Sequence, residues 1–320
     1  MQAYTNTQVR TVIIAVITLI INTFSAGNTQ AQDTKTTPTS KMYCLPAVLE
    51  AVTRAFPGFN SSDGLVTLNQ EQRQYFNLYT SKETPMWLQA MHKLKVLDGT
   101  AGTGAEVTKW LATKDFNIDV SSSPKAAAGV FDLKLDWSIP GKASSFSVDG
   151  QMFAGAKMDI ATLDGVFTST GHDKPIFKMK SESAEWEIFV TEFDGNIDKD
   201  KELLDHSNKI LADLKLSQLA GGFSAVSIPK VDFEKSVDVS FLGGMESKDF
   251  RVDQAIKIAR LKFSEVGMQA SSAVVIRTRG MSQSPYTIKS KFLVIARLKD
   301  NQSFPAFVAL CDQDSWVKSK

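Results

Sequence analysis

The sequence has few of the residues that build metal sites or disulfide scaffolds. It contains 2 cysteines and 3 histidines in 320 residues, too few thiols for a four-cysteine zinc site or a disulfide-stapled miniprotein. His92, His172 and His206 stand apart, without His-x-x-x-His or Glu-x-x-His spacing. No Gly-x-Ser-x-Gly nucleophile elbow is present. The sequence therefore predicts no metal site and no cofactor, and it gives no support for an enzyme.

An excess of charge of one sign is also missing. Lysine and arginine together number 36 and aspartate and glutamate 35, so the formal net charge at pH 7 is +1. A near-neutral chain lacks the basic surface that nucleic-acid binding requires, and we expect no nucleic-acid partner. The composition, 43% hydrophobic and 22% charged, is that of a globular protein and excludes disorder or collagen as a description of the whole chain.

Residues 99–104, which read GTAGTG, form the one candidate for a phosphate-binding loop. They follow a predicted strand at 95–97 and precede a predicted helix at 105–113. Their spacing is not Gly-x-Gly-x-x-Gly, and no Lys-Ser or Lys-Thr pair follows them. We therefore interpret them as a strand-to-helix turn.

A long apolar run occurs only at the N-terminus. Residues 11–24 read TVIIAVITLIINTF, with Arg10 before them and no acidic residue until Asp33. This pattern predicts a secretory signal peptide over 1–31, cleaved near Ala31 or a little earlier. A membrane anchor is the alternative, although fourteen residues are short for a span. We expect a secreted, extracellular protein with no membrane contact after cleavage.

The remaining chain is predicted to be a flexible arm, 32–42, and a single domain, 43–317. In an oxidising compartment Cys44 and Cys311 are permitted to form a disulfide, and two free buried thiols are the equal alternative. Asn60 and Asn301 begin glycosylation sequons, which matter only in a eukaryotic host.

Hydrophobic periodicity predicts an α+β fold, with helices first and mostly antiparallel strands after residue 130. In the first clear strand, Phe131, Leu133, Leu135 and Trp137 alternate with charged residues. The segment Arg73 to Tyr79 also has a strand-like pattern. The strands 292–298 and 304–310 are almost wholly apolar, which predicts a hairpin buried on both faces. The predicted helices span 45–56, 84–94, 105–113 and 200–216.

Residues 264–290 join two predicted strands and are unusually long for a loop inside a compact domain. Gly267 offers a hinge where backbone angles can change. The stretch after it has the alternation of a strand. A plain buried strand followed by a turn fits the periodicity equally well. One face of the alternating stretch carries no charge: Met268, Ala270, Ser272, Val274, Ile276 and Thr278.

The segment Ser264 to Ala273 resembles the hinge of a serpin reactive-centre loop, where a glutamate, a glycine and then small residues recur. Met281-Ser282 begins fourteen residues past Gly267, the spacing at which inhibitory serpins are cleaved. Trp137 is placed like the tryptophan at the breach of the main serpin sheet. Further segments resemble the family in chain order: Thr108 to Leu111, Phe146 to Gly150, Ser227 to Val231 and Lys291 to Val294.

The sequence also departs from the serpin pattern. It has no room for the first helix of the family or for the two helices before the second strand of the main sheet. Leu135 and Ala309 replace family glycines, and Met268 and Gln269 replace a threonine or serine and a glutamate. These departures bear on the rate of loop insertion and on activation by glycosaminoglycans.

The resemblance implies a monomeric serpin-like domain whose exposed loop, 265–290, acts as bait for a serine protease. It implies cleavage near Met281-Ser282, with Met281 suiting elastase- or chymotrypsin-like enzymes. If the register is two residues off, Arg279 directs the loop to trypsin-like enzymes. The implied hinge comprises Glu265, Gly267, Met268, Ala270, Ser271, Ser272 and Ala273.

Two other functions stay open at this point. A non-inhibitory protein of the same fold would be a carrier, chaperone or storage protein. An unrelated secreted α+β binding module is the third alternative.

Overall fold

The computed structural model describes residues 11–21, 39–57, 68–79, 84–217, 223–247, 251–265, 285–300 and 304–319. For residues 11–21 it gives the backbone and its pairing. No helix among the described residues has the length and apolar character needed to cross a membrane.

Five helices lie among the described residues. Their bounds are α1 Leu45–Ala55, α2 Gln70–Tyr79, α3 Thr84–Lys93, α4 Gly104–Ala112 and α5 Glu202–Leu211. Helix α1 starts with proline near its first position and buries almost its whole length. Helix α4 begins with a capping box, because the Thr103 hydroxyl accepts from the Glu106 backbone N–H while the Glu106 carboxylate accepts from the Thr103 N–H.

The first sheet has five strands, and the N-terminal strand lies at its centre. The strands, from one edge to the other, are β12 Val231–Val237, β13 Gln254–Phe263, β1 Thr11–Ile21, β4 Lys125–Leu135 and β3 Leu97–Gly102. All neighbouring pairs are antiparallel. The segment predicted as a signal peptide thus supplies the central strand of this sheet.

Two further sheets complete the architecture, and all but one of their strand pairs are antiparallel. The seven-stranded sheet runs β10 Lys215–Leu216, β7 Gly165–Ser169, β8 His172–Met179, β9 Trp186–Glu192, β15 Phe292–Leu298, β16 Phe307–Cys311 and β2 Lys41–Cys44. The four-stranded sheet runs β14 Tyr286–Thr287, β11 Ala225–Pro229, β6 Gln151–Asp159 and β5 Lys142–Val148, with β11 and β14 parallel.

Strand β4 is buried on both faces. Ala127, Phe131 and Leu133 belong to the main apolar core, and the Phe131 ring packs on Trp186 of the seven-stranded sheet at 5.8 Å between centroids. The alternate residues, including Val130, pack under helix α4 with Val107 and Leu111. Helix α4 therefore lies across the outer face of the five-stranded sheet.

Much of the α+β prediction is confirmed. The hairpin β15–β16 is buried along its whole length, and helix α3 begins at Thr84 as predicted. Strand β7 was not predicted, and strand β2 begins at Lys41, within the segment expected to be a flexible arm.

The strand-like interpretation of Arg73 to Tyr79 is wrong, because these residues belong to helix α2. The helix is started by a reciprocal pair: the Asn69 N–H donates to Gln72 Oε1 and the Gln72 N–H donates to Asn69 Oδ1, both at 2.9 Å. This local cap outweighs the alternation of side chains that follows it.

The turn expected at 99–104 is mostly strand β3. The glycines serve close packing, because a Cβ on Gly99 would lie 2.5 Å from Glu50 Oε1. Glu50, on α1, is buried and bonded to Arg54 Nε at 2.8 Å and to His92 Nε2 at 3.0 Å. The buried Glu50 side chain thus occupies the space that a side chain at position 99 would need.

Candidate functional site

The point where the chain leaves strand β13 is held by four separate contacts. The Trp137 indole N–H donates to the Ser264 carbonyl at 3.0 Å, and the Trp137 ring packs on Phe263 at 5.5 Å. The Gly141 N–H donates to the Glu265 carbonyl at 2.7 Å. The Glu265 carboxylate pairs with Lys230 Nζ at 2.6 Å. The first residues of the predicted loop are therefore fixed at the end of the five-stranded sheet.

A small apolar cavity lies directly below this anchor, between the five-stranded and seven-stranded sheets. Trp137 is 3% exposed and closes its upper end. The side chains that line an apolar cavity would gain dispersion contacts if another apolar group filled it. Its lining residues are Leu133, Leu135, Trp137, Ile188, Leu261, Phe263 and Val294.

The other end of the predicted loop is held by Glu192, at the end of strand β9. Glu192 Oε1 accepts from the Lys289 backbone N–H at 2.9 Å and from the Ser290 hydroxyl at 3.1 Å. Its other oxygen accepts from the Tyr286 hydroxyl, and burial together with this bond raises the pKa of Tyr286 above its usual range. Ile288 is fully buried beside them. One carboxylate thus binds three residues of the returning chain: Tyr286, Lys289 and Ser290.

Between strands β4 and β13 the five-stranded sheet has a position for one strand, which we call the slot. In this structure β1 occupies it, antiparallel to both neighbours. Ile13 pairs with Leu261 and Leu133, and Ala15 pairs with Ala259 and Phe131. Because both neighbours are antiparallel to β1, β4 and β13 run parallel to each other and cannot be joined by a short hairpin.

Beneath the slot, helix α1 approaches the sheet at backbone distance. A Cβ on Gly129 of β4 would lie 2.5 Å from the Ala47 carbonyl and 2.9 Å from the Ala51 nitrogen. Lys257 of β13 is fully buried nearby, with Nζ 3.4 Å from the Cys44 carbonyl and 3.7 Å from the centre of the Tyr43 ring. The floor of the slot is therefore tightly packed and contains a buried amine.

Several residues predicted from sequence fall outside the described part of the chain. These are the reactive bond Met281 and Ser282, the alternative Arg279, the hinge residues Gly267, Met268, Ala270, Ser271, Ser272 and Ala273, and the sequon residues Asn60 and Asn301. Of the predicted hinge and breach residues, Trp137 and Glu265 are described, and the structure brings them to the same end of the slot.

Cys44 and Cys311 are free and buried in this structure. Phe307 of β16 is the register partner of Cys44, so Cys311 lies four residues further along the ladder. That offset corresponds to roughly 13 Å along the strand, well beyond disulfide reach. Burial raises the pKa of the Cys44 thiol to about 12 and that of Cys311 well above its ordinary value.

The three histidines do not converge. His92 pairs with Glu50, His172 bonds the Thr191 hydroxyl at 2.7 Å, and the His206 ring lies 5.5 Å from that of Phe193. Among the described residues, no group of three histidine, cysteine, aspartate or glutamate side chains is arranged to hold a metal ion.

Sequence reasoning missed Glu192, Glu50 and Lys257. Lys257 stands at an inward position of the alternating strand β13, so a charged residue on a core face was visible in the pattern. Glu192 and Glu50 carried no such signal. Their partners Lys289 and His92 come from segments about one hundred and about forty residues away along the chain, and the i,i+4 partner Arg54 of Glu50 is typical of an exposed helix pair.

No family model and no curated protein matches the sequence. Solved structures match the fold. The native thermophilic serpin tengpin aligns with a TM-score of 0.52 and 10% identity, covering 91% of this chain and 90% of tengpin. Human thyroxine-binding globulin in complex with thyroxine aligns with a TM-score of 0.52 and 9% identity, covering 86% and 92%.

The chain has the serpin fold. The third alternative, an unrelated α+β binding module, is therefore wrong. The resemblance found in the sequence placed the loop between two strands of this fold, and the structure anchors the described residues on both sides of it. Within the serpin fold, the slot between β4 and β13 lies directly beside the loop's first residues.

Proposed function

We propose that the protein is a secreted serpin-type inhibitor of serine proteases that acts as a suicide substrate. A protease attacks the loop near Met281-Ser282, and the freed strand enters the slot while the enzyme is still attached. The protein itself is not an enzyme and uses no cofactor. In inhibitory serpins generally, loop insertion adds a strand to the main sheet and releases strain stored in the native fold.

The observation that carries the proposal is the position of Glu265. It lies one residue beyond Ser264 at the end of β13, next to the upper end of the slot. A chain that folded back from this point would run antiparallel to β13, which is the direction of the strand that the slot holds in this structure. The slot therefore accepts a strand of the polarity that an inserting loop would have.

Insertion has enough driving force to act on a protease. Each inserted residue gains ladder hydrogen bonds worth ~1 kcal/mol net, and each buried valine or isoleucine gains roughly 1–2 kcal/mol. A dozen residues would release over about ten kcal/mol. The inward positions of the loop segment 268–278 carry no charge, so no desolvation cost of several kcal/mol opposes the insertion.

In the test, the N-terminus of the secreted protein is first determined. The protein is then incubated with elastase, chymotrypsin or trypsin, and the products are analysed by denaturing electrophoresis and mass mapping. We expect a cut between Ile276 and Ser284 and a denaturant-stable adduct with elastase or chymotrypsin. Met281→Arg is the matched variant and should move adduct formation to trypsin. Nicking elsewhere, or no adduct with any of the enzymes, would contradict the inhibitory function.

A carrier is the second candidate, because human thyroxine-binding globulin shares the fold. The described residues include an open cavity between helix α5 and the seven-stranded sheet, lined by Phe189 and Leu211 together with a buried pair in which Arg297 Nε lies 2.7 Å from Glu187. Thyroxine titration of the same protein, with Arg297→Gln as control, separates a carrier from an inhibitor. Saturable binding that the variant loses, without any protease adduct, would favour the carrier.

A further inference from the structure

In the full-length chain the N-terminal segment lies at the centre of the five-stranded sheet. Eight consecutive residues, Ile13 to Ile20, pair with β13, and eleven, Thr11 to Ile21, pair with β4. Helix α1 also contacts this strand. An edge strand would pair on one side only. The N-terminal segment pairs on both sides, so it uses the backbone groups of β4 and β13 that any other strand inserted between them would need.

One strand fills the slot. From Ile13 to Ile20, β1 lies between β4 and β13 and is paired to both. A loop returning from Glu265 would run in the direction of β1 and use the same backbone groups of β13. The N-terminal strand and an inserted loop are therefore mutually exclusive occupants of one position.

The composition of the segment suits this position. Nine of the eleven residues from Thr11 to Ile21 are β-branched, which favours a strand over a helix, and none carries a charge. The slot has mostly apolar surroundings on both faces of the sheet, and the buried amine of Lys257 on the core face of β13 is a polar exception. The β4 and β13 residues that flank it are Ala127, Phe131, Leu133, Ala259 and Leu261 toward the core, and Ala126, Ala128, Val130, Ile256 and Ile258 toward α4.

We propose that residues 11–21 are an internal ligand of the slot, so that the chain cannot insert its loop while this segment is seated. The consequence for the loop rests on the proposed inhibitory function, whereas the seating of the segment does not. Removal of the leader predicted from the sequence would then open the slot, and the same cut that releases the protein would make it active.

The direct test is hydrogen exchange on full-length protein produced without export, with Met1-to-Lys320 mass confirmed. Amides of residues 13–20 should exchange at least ~100-fold more slowly than in an unstructured peptide, comparably with those of β4 and β13. Exchange at the unstructured rate would overturn the proposal, and this readout requires no variant and no protease.

Ala15→Asp places a carboxylate at a position paired with Ala259 and Phe131, and Thr5→Asp adds the same charge outside the strand. We expect roughly ten-fold faster exchange in residues 12–20 of Ala15→Asp and no change in Thr5→Asp. Equal exchange in both variants would overturn the proposal. If Ala15→Asp does not fold, the wild-type exchange decides.

Protease adducts measured on the same proteins separate the two proposals. Ala15→Asp should form elastase adduct at least about ten-fold more readily than wild type, because its slot is open. If the amides of residues 13–20 are protected in wild type but no variant forms an adduct, the seating of the N-terminal segment is supported. Only the inhibitory function is then contradicted. Full adduct formation by wild type with protected residues 13–20 would contradict the exclusion of the loop.

Discussion

Lys257 is a residue whose chemistry the fold alters strongly. It is fully buried on the core face of β13, and its ammonium group has the Cys44 carbonyl and the Tyr43 ring as neighbours. Burial lowers the pKa of Lys257 to about 8. Because the unfolded chain holds this proton up to its ordinary pKa of 10.5, the fold stabilises the neutral amine.

The sign of the resulting pH dependence follows from proton counting. Between pH about 8 and 10.5 the unfolded state binds more protons at this site, so the free energy of unfolding should rise with pH across that window. Below pH 8 the buried charge costs up to about 3 kcal/mol. Lys257→Met should remove this cost, and its free energy of unfolding should no longer rise between pH 8 and 10.5 through titration at this position.

Urea unfolding of wild type and Lys257→Met at pH 7, 8, 9 and 10 measures this effect. The exposed variant Lys109→Met serves as the control and should follow wild type. If the stability difference between Lys257→Met and wild type is the same at every pH, Lys257 titrates normally in the folded protein.

At the scale of elements, the most consequential contacts are those that fix the two ends of the loop. Trp137, Lys230 and Gly141 hold its beginning, and Glu192 holds the chain that returns from it. Strand β14 has only two residues and pairs with one strand, β11. Its attachment therefore depends on the side chain of Glu192 more than on its own ladder.

Glu192→Gln should loosen this attachment while leaving the rest of the fold intact. An amide presents one acceptor oxygen in place of two, so at least one of the bonds to Tyr286, Lys289 and Ser290 is lost, at ~1–3 kcal/mol for a partly buried charged acceptor. Hydrogen exchange of residues 285–290 should accelerate, and exposed Glu182→Gln should leave it unchanged. Unaltered exchange in Glu192→Gln would show that the carboxylate does not hold the returning chain.

Helices and strands could be predicted where apolar residues recur with a clear period. They could not be predicted where a side chain on another part of the chain determines the local structure. The alternation from Phe131 to Trp137 and the apolar run at Phe292 identified strands correctly. In both cases the apolar positions in the sequence are the positions that the strand buries. Gly99 was interpreted as part of a turn, because the side chain that requires a glycine there is Glu50, on another element. Helix α2 was missed because its start depends on one side-chain pair, Asn69 and Gln72.

At the scale of the whole molecule, the sequence predicted the fold through the order of several weak motifs rather than through any one of them. Identity to tengpin and to human thyroxine-binding globulin is 9–10%, so single positions carry little information. The role of residues 11–21 could not be predicted in the same way. A signal peptide and a central strand buried on both faces both require a short, uncharged apolar run, so the sequence does not distinguish them.

The central claim is that the loop enters the slot after cleavage, and melting temperature tests it most directly. The protein lacking the predicted signal peptide, residues 1–31, is melted before and after its loop is cut by elastase. Ala270→Arg, which places a charge at a position that the proposed insertion would bring into the core, is measured alongside. The account predicts that cleaved wild type melts on the order of 20 °C higher than intact protein, from over about ten kcal/mol of added stability. Cleaved Ala270→Arg should show little or no gain. A wild-type protein that melts no higher after cleavage would contradict the account, because its loop would not insert even though the fold is that of a serpin.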